Sequence, residues 1–184
     1  MPRLSKPAEC HNCESRPNGI FCELEQASTR ELEQRKTSNV YKKGQIIFYE
    51  GNQALGLYCV SSGRVKLYKT SIDGKEQIVR IASPGDVLGY RALLADEPYH
   101  ATAEALEDAE VCCLDRNAFF PLLKKEPSLA MNLIQKLAQE LRVAENLAAT
   151  IAQKSVRERM AELLLTLKEV YGKKMGTISV LVFN

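Results

Sequence analysis

Several features are scarce in this sequence, and each scarcity excludes a class of protein. No stretch approaches the roughly eighteen consecutive apolar residues of a membrane-spanning helix. The basic N-terminus is not followed by the apolar segment of a secretion signal. We therefore expect a cytoplasmic protein without a membrane partner.

Charge and catalytic motifs are scarce as well. The formal net charge is +2 and no basic run stands apart from neighbouring acids, so charge does not indicate nucleic acid binding. The two histidines, His11 and His100, are not accompanied by a nucleophile on a strand-turn-helix motif. Walker-type and G-x-G-x-x-G phosphate loops are absent too. We do not expect an enzyme.

The 184 residues, 45% apolar and 26% charged, are enough for one main domain and an appendage. The composition and residue pattern change along the chain and predict four regions. These are a cysteine-containing N-terminal segment (1–37), a β-rich domain (38–126), a long helix (127–154) and a C-terminal part (155–184).

The β-rich domain contains short runs of Ile, Val, Tyr and Phe, each bounded by glycine, which predict an antiparallel sandwich or barrel. Asp73 and Gly74 lie between two runs and predict a hairpin, because both residues tolerate positive φ. Val65 and Leu67 alternate with charged residues, which predicts a sheet with one face towards solvent. The runs are QIIFYE, LYCV, RVKLYK, EQIVRI and VLGY.

Residues 127–154 predict one unbroken helix, since Pro127 suits a first turn and no proline or glycine follows before Gly172. Apolar residues keep a heptad register here, which predicts a coiled-coil homodimer. The alternative is an amphipathic helix lying on its own domain, because Leu129, Leu133 and Leu147 widen the apolar stripe. The predicted dimer seam is Ala130, Ile134, Leu137, Leu141, Ala144, Ala148 and Ile151.

Two Ser-x-x-Glu capping boxes mark helix starts, at Ser28 and at Ser155. The first predicts a short helix that ends near Lys36, and the second predicts a helix that ends near Gly172. The last eight residues, TISVLVFN, are mostly apolar and predict a strand.

Taken together, these segments resemble the Crp/Fnr family of bacterial transcription regulators from about Lys42 to Gly172. The resemblance implies an α+β fold: an antiparallel double-stranded β-roll of the cyclic-nucleotide-binding type, jelly-roll-like, then a long dimerisation helix and a short second helix. In this family a winged helix-turn-helix that reads DNA follows. The matching stretches are YKKGQIIFYEGN, LYCVSSGRVKLYKTSIDGKEQIVRIASPGDVLGY, ATAEALEDAEV and SVRERMAELLL.

The resemblance also implies a ligand pocket. In members that bind cyclic AMP, a glutamate follows the glycine of the binding cassette and an arginine pairs with the cyclic phosphate. Here Tyr90 follows Gly89, and Tyr99 stands at the arginine position. A tyrosine hydroxyl does not replace a cation for a phosphate, so we expect no tight binding of cyclic AMP. The candidate pocket residues are Gly89, Tyr90, Arg91, Tyr99, His100 and Ala101.

Six cysteines in a chain without a secretion signal favour thiols or metal ligands over a disulfide framework. Oxygen-sensing members of the family hold a [4Fe–4S] cluster with three N-terminal cysteines and one from the β-roll. The resemblance therefore implies a cluster on Cys10, Cys13, Cys22 and Cys112. Strand alternation lets only one of Cys112 and Cys113 face such a site.

Two alternatives to the cluster stay open. The thiols are either reduced and only pack, or three of them bind zinc with His11 as the fourth ligand. Cys59, within the run LYCV, is interpreted as a small core residue.

The resemblance predicts a dimeric sensor that responds to a redox, oxygen or small-molecule signal. A helix-turn-helix needs roughly 25 residues, more than follow Gly172, so we expect the DNA-reading domain to be missing and residues 155–184 to be its start. DNA would then be contacted only through that missing domain. The alternative is a stand-alone ligand-binding or protein-interaction module, in which TISVLVFN adds a strand to a partner's sheet.

Overall fold

A computed structural model describes residues 3–4, 10–153, 155, 157–158, 160–161, 164–165, 172–175 and 178–181 of the chain. The chain divides into two compact units, Met1–Ile134 and Gln135–Asn184. The first unit holds the β-rich domain, and the second holds the rest of the long helix and a hairpin.

The strands of the first unit form two antiparallel sheets, as the short glycine-bounded runs predict. One sheet has the order β1-β2-β9-β4-β7 and the other has the order β3-β8-β5-β6. The strands are β1 (Arg3–Leu4), β2 (Thr37–Tyr41), β3 (Ile46–Phe48), β4 (Gly56–Ser62), β5 (Val65–Thr70), β6 (Glu76–Ala82), β7 (Val87–Leu88), β8 (Thr102–Ala105) and β9 (Ala109–Asp115).

Four α-helices have described bounds. They are α1 (Gln26–Arg35), α2 (Tyr90–Ala95), α3 (Arg116–Lys125) and α4 (Pro127–Gln153). Two short 3-10 helices, Cys10–Asn12 and Arg16–Asn18, precede α1. Helix α3 begins where the Asp115 carboxylate accepts a hydrogen bond from the Ala118 N–H at 2.7 Å.

The core draws on both sheets and on the helices that follow them. Leu57 and Leu129 are fully buried, Val111 is 1% exposed, and Val65 and Phe119 are fully buried as well. The predicted α+β class, with a β-roll followed by a long helix, is therefore confirmed.

The predicted hairpin at Asp73 and Gly74 is confirmed, since it joins β5 to β6. The Ser71 N–H donates to the Lys75 carbonyl at 2.9 Å and closes the turn. Gly74 takes a φ of +79°, the left-handed conformation that glycine adopts without steric cost. Asp73 has no positive φ, so Gly74 is the one of these two turn residues that takes the left-handed conformation.

The capping box predicted at Ser28 is wrong. The N-cap is Glu25 rather than Ser28, so helix α1 begins at Gln26, and it has no side-chain cap. Ser28 is fully buried, and its hydroxyl donates instead to the carboxylate of Glu126, which is 6% exposed. A buried carboxylate that needs a donor has taken this hydroxyl away from the helix terminus.

In the second unit, the capping box predicted at Ser155 is confirmed. The Ser155 N–H donates to the Glu158 carboxylate at 2.7 Å, and the Glu158 N–H donates back to the Ser155 hydroxyl at 3.4 Å. The strand predicted in the C-terminal residues is present as β11 (Ile178–Leu181), paired with β10 (Gly172–Met175). Gly172, predicted as a helix stop, begins that hairpin.

Among the helices of the described residues, none has the length and apolarity needed to cross a membrane.

Candidate functional site

The pocket predicted around Gly89 is filled by an aromatic ring. The Tyr99 ring stacks on Phe48, with ring centroids 4.2 Å apart. Its hydroxyl donates to the Gly56 carbonyl at 2.8 Å, which fixes the ring in place. Tyr99 lies so close to Gly89 that a Cβ added there would be 2.8 Å from its Cε1 atom. The phenol therefore covers the backbone at Gly89.

The other predicted pocket residues lie in different environments. Tyr90 is 1% exposed and belongs to the core, and Ala101 is buried too. Arg91 is exposed. The exposed His100 directs its Nε2 to the Glu97 carboxylate, 2.8 Å away. Of the predicted pocket residues, Gly89 and Tyr99 therefore lie against each other. His100 lies at the surface beside Glu97.

A second cavity lies where the N-terminal segment covers strands β4 and β9. It measures about 60 Å³ and is almost entirely apolar. Cys59 and Cys112 are direct partners in the register of β4 and β9, so their side chains stand on one face of the sheet. The cavity residues used below are Cys10, Cys13, Lys36, Cys59, Ser61 and Cys112.

A lysine enters this thiol-lined cavity. Lys36 is only 8% exposed, and its ammonium hydrogen-bonds the Cys10 thiol. Burial by itself would lower the pKa of Lys36, but that hydrogen bond and the nearby sulfurs of Cys112 and Cys13 raise it. The pKa of Lys36 is therefore raised although the side chain is buried.

Cys13 has the most polar surroundings of the cavity thiols described here. Its Sγ lies 3.1 Å from the Ser15 hydroxyl and 3.8 Å from the Ser61 hydroxyl. Burial would raise the pKa of the Cys13 thiol, but hydrogen bonds from Ser15, Ser61 and the Arg16 backbone lower it overall. Hydrogen bonds to sulfur favour the thiolate, which is the reactive form.

The pKa values of the Cys10 and Cys59 thiols shift in the opposite direction. Burial raises the pKa of the Cys10 thiol, although the neighbouring Lys36 opposes this effect. Burial also raises the pKa of Cys59 well above its ordinary value, and the nearby Cys112 and Cys10 add to the shift. Buried neutral thiols of this kind are poor nucleophiles.

Cys112 and Cys113 point to opposite faces of β9. The Cys112 Sγ lies 3.2 Å from the Ser38 hydroxyl, on the face covered by the N-terminal segment. Cys113 hydrogen-bonds Tyr58, on the side of the aromatic cluster. Burial, with the Asp115 charge adding to it, raises the pKa of Cys113 to about 11.

Three of the four predicted cluster ligands, Cys10, Cys13 and Cys112, line the thiol cavity. Cys22 is absent from the residues that line the thiol cavity; it accepts a hydrogen bond from the Asn132 amide at 3.7 Å. Within the part of the chain that the structure describes, no three Cys, His, Asp or Glu side chains are placed to hold a single metal ion. A [4Fe–4S] cluster needs four thiolates, and the cluster on Cys10, Cys13, Cys22 and Cys112 stays a prediction.

The zinc alternative depends on the side chain of His11, which lies outside the described residues. Sequence reasoning missed two members of the cavity, Cys59 and Lys36. The signal for Cys59 is its pairing with Cys112, and that pairing depends on the register of two strands about fifty residues apart in the chain. For Lys36 the sequence carries no comparable signal, since a lysine that follows a helix is ordinarily solvated.

Comparison with known proteins places the β-rich domain in a family. The sequence profile of the cyclic nucleotide-binding domain matches residues 38–126. The chain is 35% identical to the "Cyclic AMP receptor protein" of Thermus thermophilus over 128 residues, which are 70% of this chain and 59% of that protein. It is 26% identical to the "Fumarate and nitrate reduction regulatory protein" of Vibrio cholerae over 166 residues, 90% of this chain and 66% of that protein.

Among solved structures, the crystal structure of the Thermus thermophilus Catabolite Activator Protein is similar to this fold. Its TM-score is 0.66 at 31% sequence identity, over 82% of this chain and 71% of that chain. The chain spans 59% of the length of the Thermus receptor protein.

Proposed function

This chain belongs to the Crp/Fnr family of regulators, and on that premise we propose that it is the dimeric sensor part of a DNA-binding transcription regulator. The relatives named above are regulatory proteins, which supports a regulatory rather than an enzymatic role. A signal received by the first unit changes how the α4 helices of two chains pack against each other. In such dimers the helix pair sets the spacing of the DNA-reading domains, so its geometry controls DNA affinity.

The observation that carries this proposal is the division of α4 into two apolar faces. Leu129 is fully buried and Leu133 is 3% exposed, so these side chains hold the start of the helix on the β-roll. Ile134 and Leu141, seven residues apart in the heptad pattern, are 58% and 60% exposed. Large apolar side chains repeated along one exposed helix face mark an interaction surface. A second copy of α4 is the partner that matches this repeat.

The signal in this proposal is a redox signal rather than a cyclic nucleotide. Tyr99 packs against Gly89 and supplies no positive charge for a cyclic phosphate. The described thiols instead gather beside Lys36 in the cavity under the N-terminal segment. The proposal therefore assigns reception of the signal to these cysteines.

Sedimentation velocity tests the dimer. Leu141→Glu places a charge in the predicted seam of both helices, whereas Gln139→Glu adds the same charge two residues away, on the face opposite the seam. Losing two buried leucines costs about 3–6 kcal/mol, so we expect the dimer of Leu141→Glu to be at least ~100-fold weaker. We expect Gln139→Glu to sediment like the wild type.

A Leu141→Glu chain that dimerises as tightly as the Gln139→Glu control would overturn the proposed seam. Circular dichroism of both variants shows whether helix content is kept, since Leu, Gln and Glu all favour helices. A thermal shift on addition of millimolar cyclic AMP tests the choice of signal. A ligand at 100 times its Kd adds about 2.7 kcal/mol of stability, so a rise in Tm would contradict the proposal.

A further inference from the structure

We propose that Asn132 couples the N-terminal segment to α4, so that the position of this segment sets the affinity of one chain for a second. The inference rests on the proposed sensor function and names the regulation of its dimer seam. Three observations support it: the place of Asn132 on the helix, the hydrogen bonds of its amide, and the contacts that hold the N-terminal segment together.

Asn132 lies on the face of α4 opposite the predicted seam. An α-helix turns by about 100° per residue, so Asn132 is about 200° around the axis from Ile134 and only about 60° from Leu129. Leu129 is fully buried, whereas Ile134 is 58% exposed. The side chain of Asn132 therefore points to its own domain, and the seam residue stays open to a partner chain.

The Asn132 amide binds two residues of the N-terminal segment. Its Nδ2 atom donates to the Ile20 carbonyl at 3.2 Å, and the Cys22 sulfur lies 3.7 Å from the same nitrogen. An amide nitrogen carries two hydrogens, so it supplies both contacts at once. The bond to Ile20 is partly buried, and water does not fully replace the donor there when the amide is removed.

Arg16 joins the backbone next to these two residues to helix α1. Its Nε donates to the Phe21 carbonyl at 3.0 Å, and its Nη2 donates to the Leu24 carbonyl and to the Thr29 hydroxyl, both at 3.1 Å. A guanidinium holds its N–H donors in a fixed plane, so the three acceptors keep their relative positions. Residues 20–24, called the N-terminal turn below, are therefore held to α1.

Helix α1 in turn contacts the residues just before α4. The Ser28 hydroxyl donates to the Glu126 carboxylate, and the Lys125 Nζ lies 3.2 Å from the Glu31 carboxylate. The N-terminal segment thus binds the chain at positions 126 and 132, nearly two helical turns apart at 3.6 residues per turn. Contacts at two levels fix the direction of the helix start as well as its position.

A helix start that is fixed in this way favours dimer formation. The seam residues Ala130 and Ile134 lie on either side of Asn132 in one helix, so they turn together with it. When the N-terminal turn leaves Asn132, the start of α4 takes several orientations, and only some of them present the seam. The apparent dimer affinity then falls with the fraction of chains in the competent orientation. A signal that moves the N-terminal turn therefore weakens the dimer.

Sedimentation velocity at several protein concentrations tests the proposal. Asn132→Ala removes both hydrogen bonds and introduces a good helix former. Gln139→Ala is the matched control, because Gln139 is an exposed amide one heptad further along the same helix face. Since each of the two chains loses its contact, we expect the dimer of Asn132→Ala to be ~10-fold weaker than the wild type. We expect Gln139→Ala to dimerise like the wild type.

A double-mutant cycle separates coupling through the N-terminal turn from a local loss of packing at Asn132. Arg16→Ala changes a residue that binds the turn rather than α4. If both residues act through the turn, Arg16→Ala also weakens the dimer, and Asn132→Ala then adds less than ~2-fold in that background. A full ~10-fold effect of Asn132→Ala in both backgrounds would overturn the proposal.

Hydrogen exchange keeps the proposal testable if Asn132→Ala does not fold. Linkage requires that dimerisation stabilises the docked N-terminal turn by the same factor by which docking stabilises the dimer. We expect the amides of the turn to exchange ~3-fold more slowly in the wild-type dimer than in the monomeric Leu141→Glu chain, the share of each chain in a ~10-fold effect. Equal exchange in dimer and monomer would contradict the coupling.

The Leu141→Glu variant separates this inference from the proposed function. A Leu141→Glu chain that dimerises like the wild type overturns the seam and the proposed function with it. A wild-type dimer that Leu141→Glu dissociates, but that is equally tight in Asn132→Ala and Gln139→Ala, overturns the role of Asn132 alone.

Discussion

At the scale of single residues, the Tyr99 ring leaves no room for a side chain at Gly89. Gly89 has a φ of +75° and would bring an added Cβ within 2.8 Å of the Tyr99 Cε1 atom. Gly51 also has a positive φ, of +82°, but an added Cβ there meets nothing within 4 Å. Substitution of Gly51 therefore measures backbone strain alone, whereas substitution of Gly89 measures strain together with steric overlap.

We expect Gly51→Ala to lower the free energy of unfolding by about 1 kcal/mol, the cost of left-handed backbone strain in a non-glycine residue. Gly89→Ala should cost about 1–3 kcal/mol more, because its methyl group overlaps the Tyr99 ring. Urea titrations of both variants measure the difference. In a Tyr99→Ala background the extra cost should disappear; equal costs with and without the ring would show that Tyr99 does not fill this space.

The Cys113 thiol makes stability depend on alkaline pH. Its pKa is raised from the ordinary 9.0 to about 11. Between these values the folded chain keeps a proton that the unfolded chain has released, so folding is increasingly disfavoured as pH rises. The contribution of this thiol is therefore complete below about pH 9 and falls as the pH approaches 11.

We expect the wild type to lose about 1.4 kcal/mol more than Cys113→Ala when the pH is raised from about 8 to about 10, because one pKa unit corresponds to that free energy. Urea titrations under reducing conditions at both pH values measure the loss. Cys22→Ala is the control and should lose as much as the wild type. A Cys113→Ala chain with the full wild-type loss would contradict the raised pKa.

At the scale of elements, the N-terminal helix is fixed to the start of α4 by one buried hydrogen bond. Ser28 of α1 is fully buried and donates to Glu126, the residue between α3 and α4. The Glu126 carbonyl in turn accepts from the Leu129 N–H at 3.1 Å. The segment that covers the thiol cavity thus also contacts the origin of the long helix.

Ser28→Ala should lower the free energy of unfolding by about 1–3 kcal/mol, since it leaves a buried carboxylate without this donor. Ser71→Ala is the matched control. The Ser71 hydroxyl donates to the Lys75 carbonyl in an exposed turn, and its loss should stay within about 0.5 kcal/mol. Chemical denaturation of both variants measures the costs; similar values for the two serines would show that the buried contact does not fix α1.

Local patterns predicted the elements of this chain well, and failed where distant partners decide the structure. The glycine-bounded runs, the Asp73–Gly74 hairpin and the box at Ser155 involve residues close in sequence, and each is present. Ser28 also satisfied a local rule, but a carboxylate 98 residues away took its hydroxyl. A local sequence pattern does not show that a distant carboxylate binds the same hydroxyl.

The candidate site shows the same limit. The resemblance to a family selected Tyr99 in front of Gly89, and the cysteines near the N-terminus were evident from composition. Which thiols meet depends on strand register and on how the N-terminal segment lies on β9. That geometry brings Cys59 and Lys36 to the cavity beside Cys10, Cys13 and Cys112, which spacing alone could not show.

At the scale of the whole molecule, the proposed redox sensor requires that the cavity thiols and the dimer seam influence each other. If oxidation of the cavity thiols changes the affinity of one chain for another, then dimerisation must change their reduction potential by the same free energy. The coupling is therefore measurable from either side, without DNA.

We expect the reduction potential of the cavity thiols to differ between the wild-type dimer and the monomeric Leu141→Glu chain, by about 30 mV for each tenfold difference in dimer affinity between the two redox states. Equilibration in glutathione buffers, followed by alkylation and mass spectrometry, gives both potentials. Gln139→Glu controls for the added charge and should match the wild type. Identical potentials in monomer and dimer would mean that oxidation is not transmitted to α4, because a ligand or modification shifts an equilibrium only by its differential free energy for the two states.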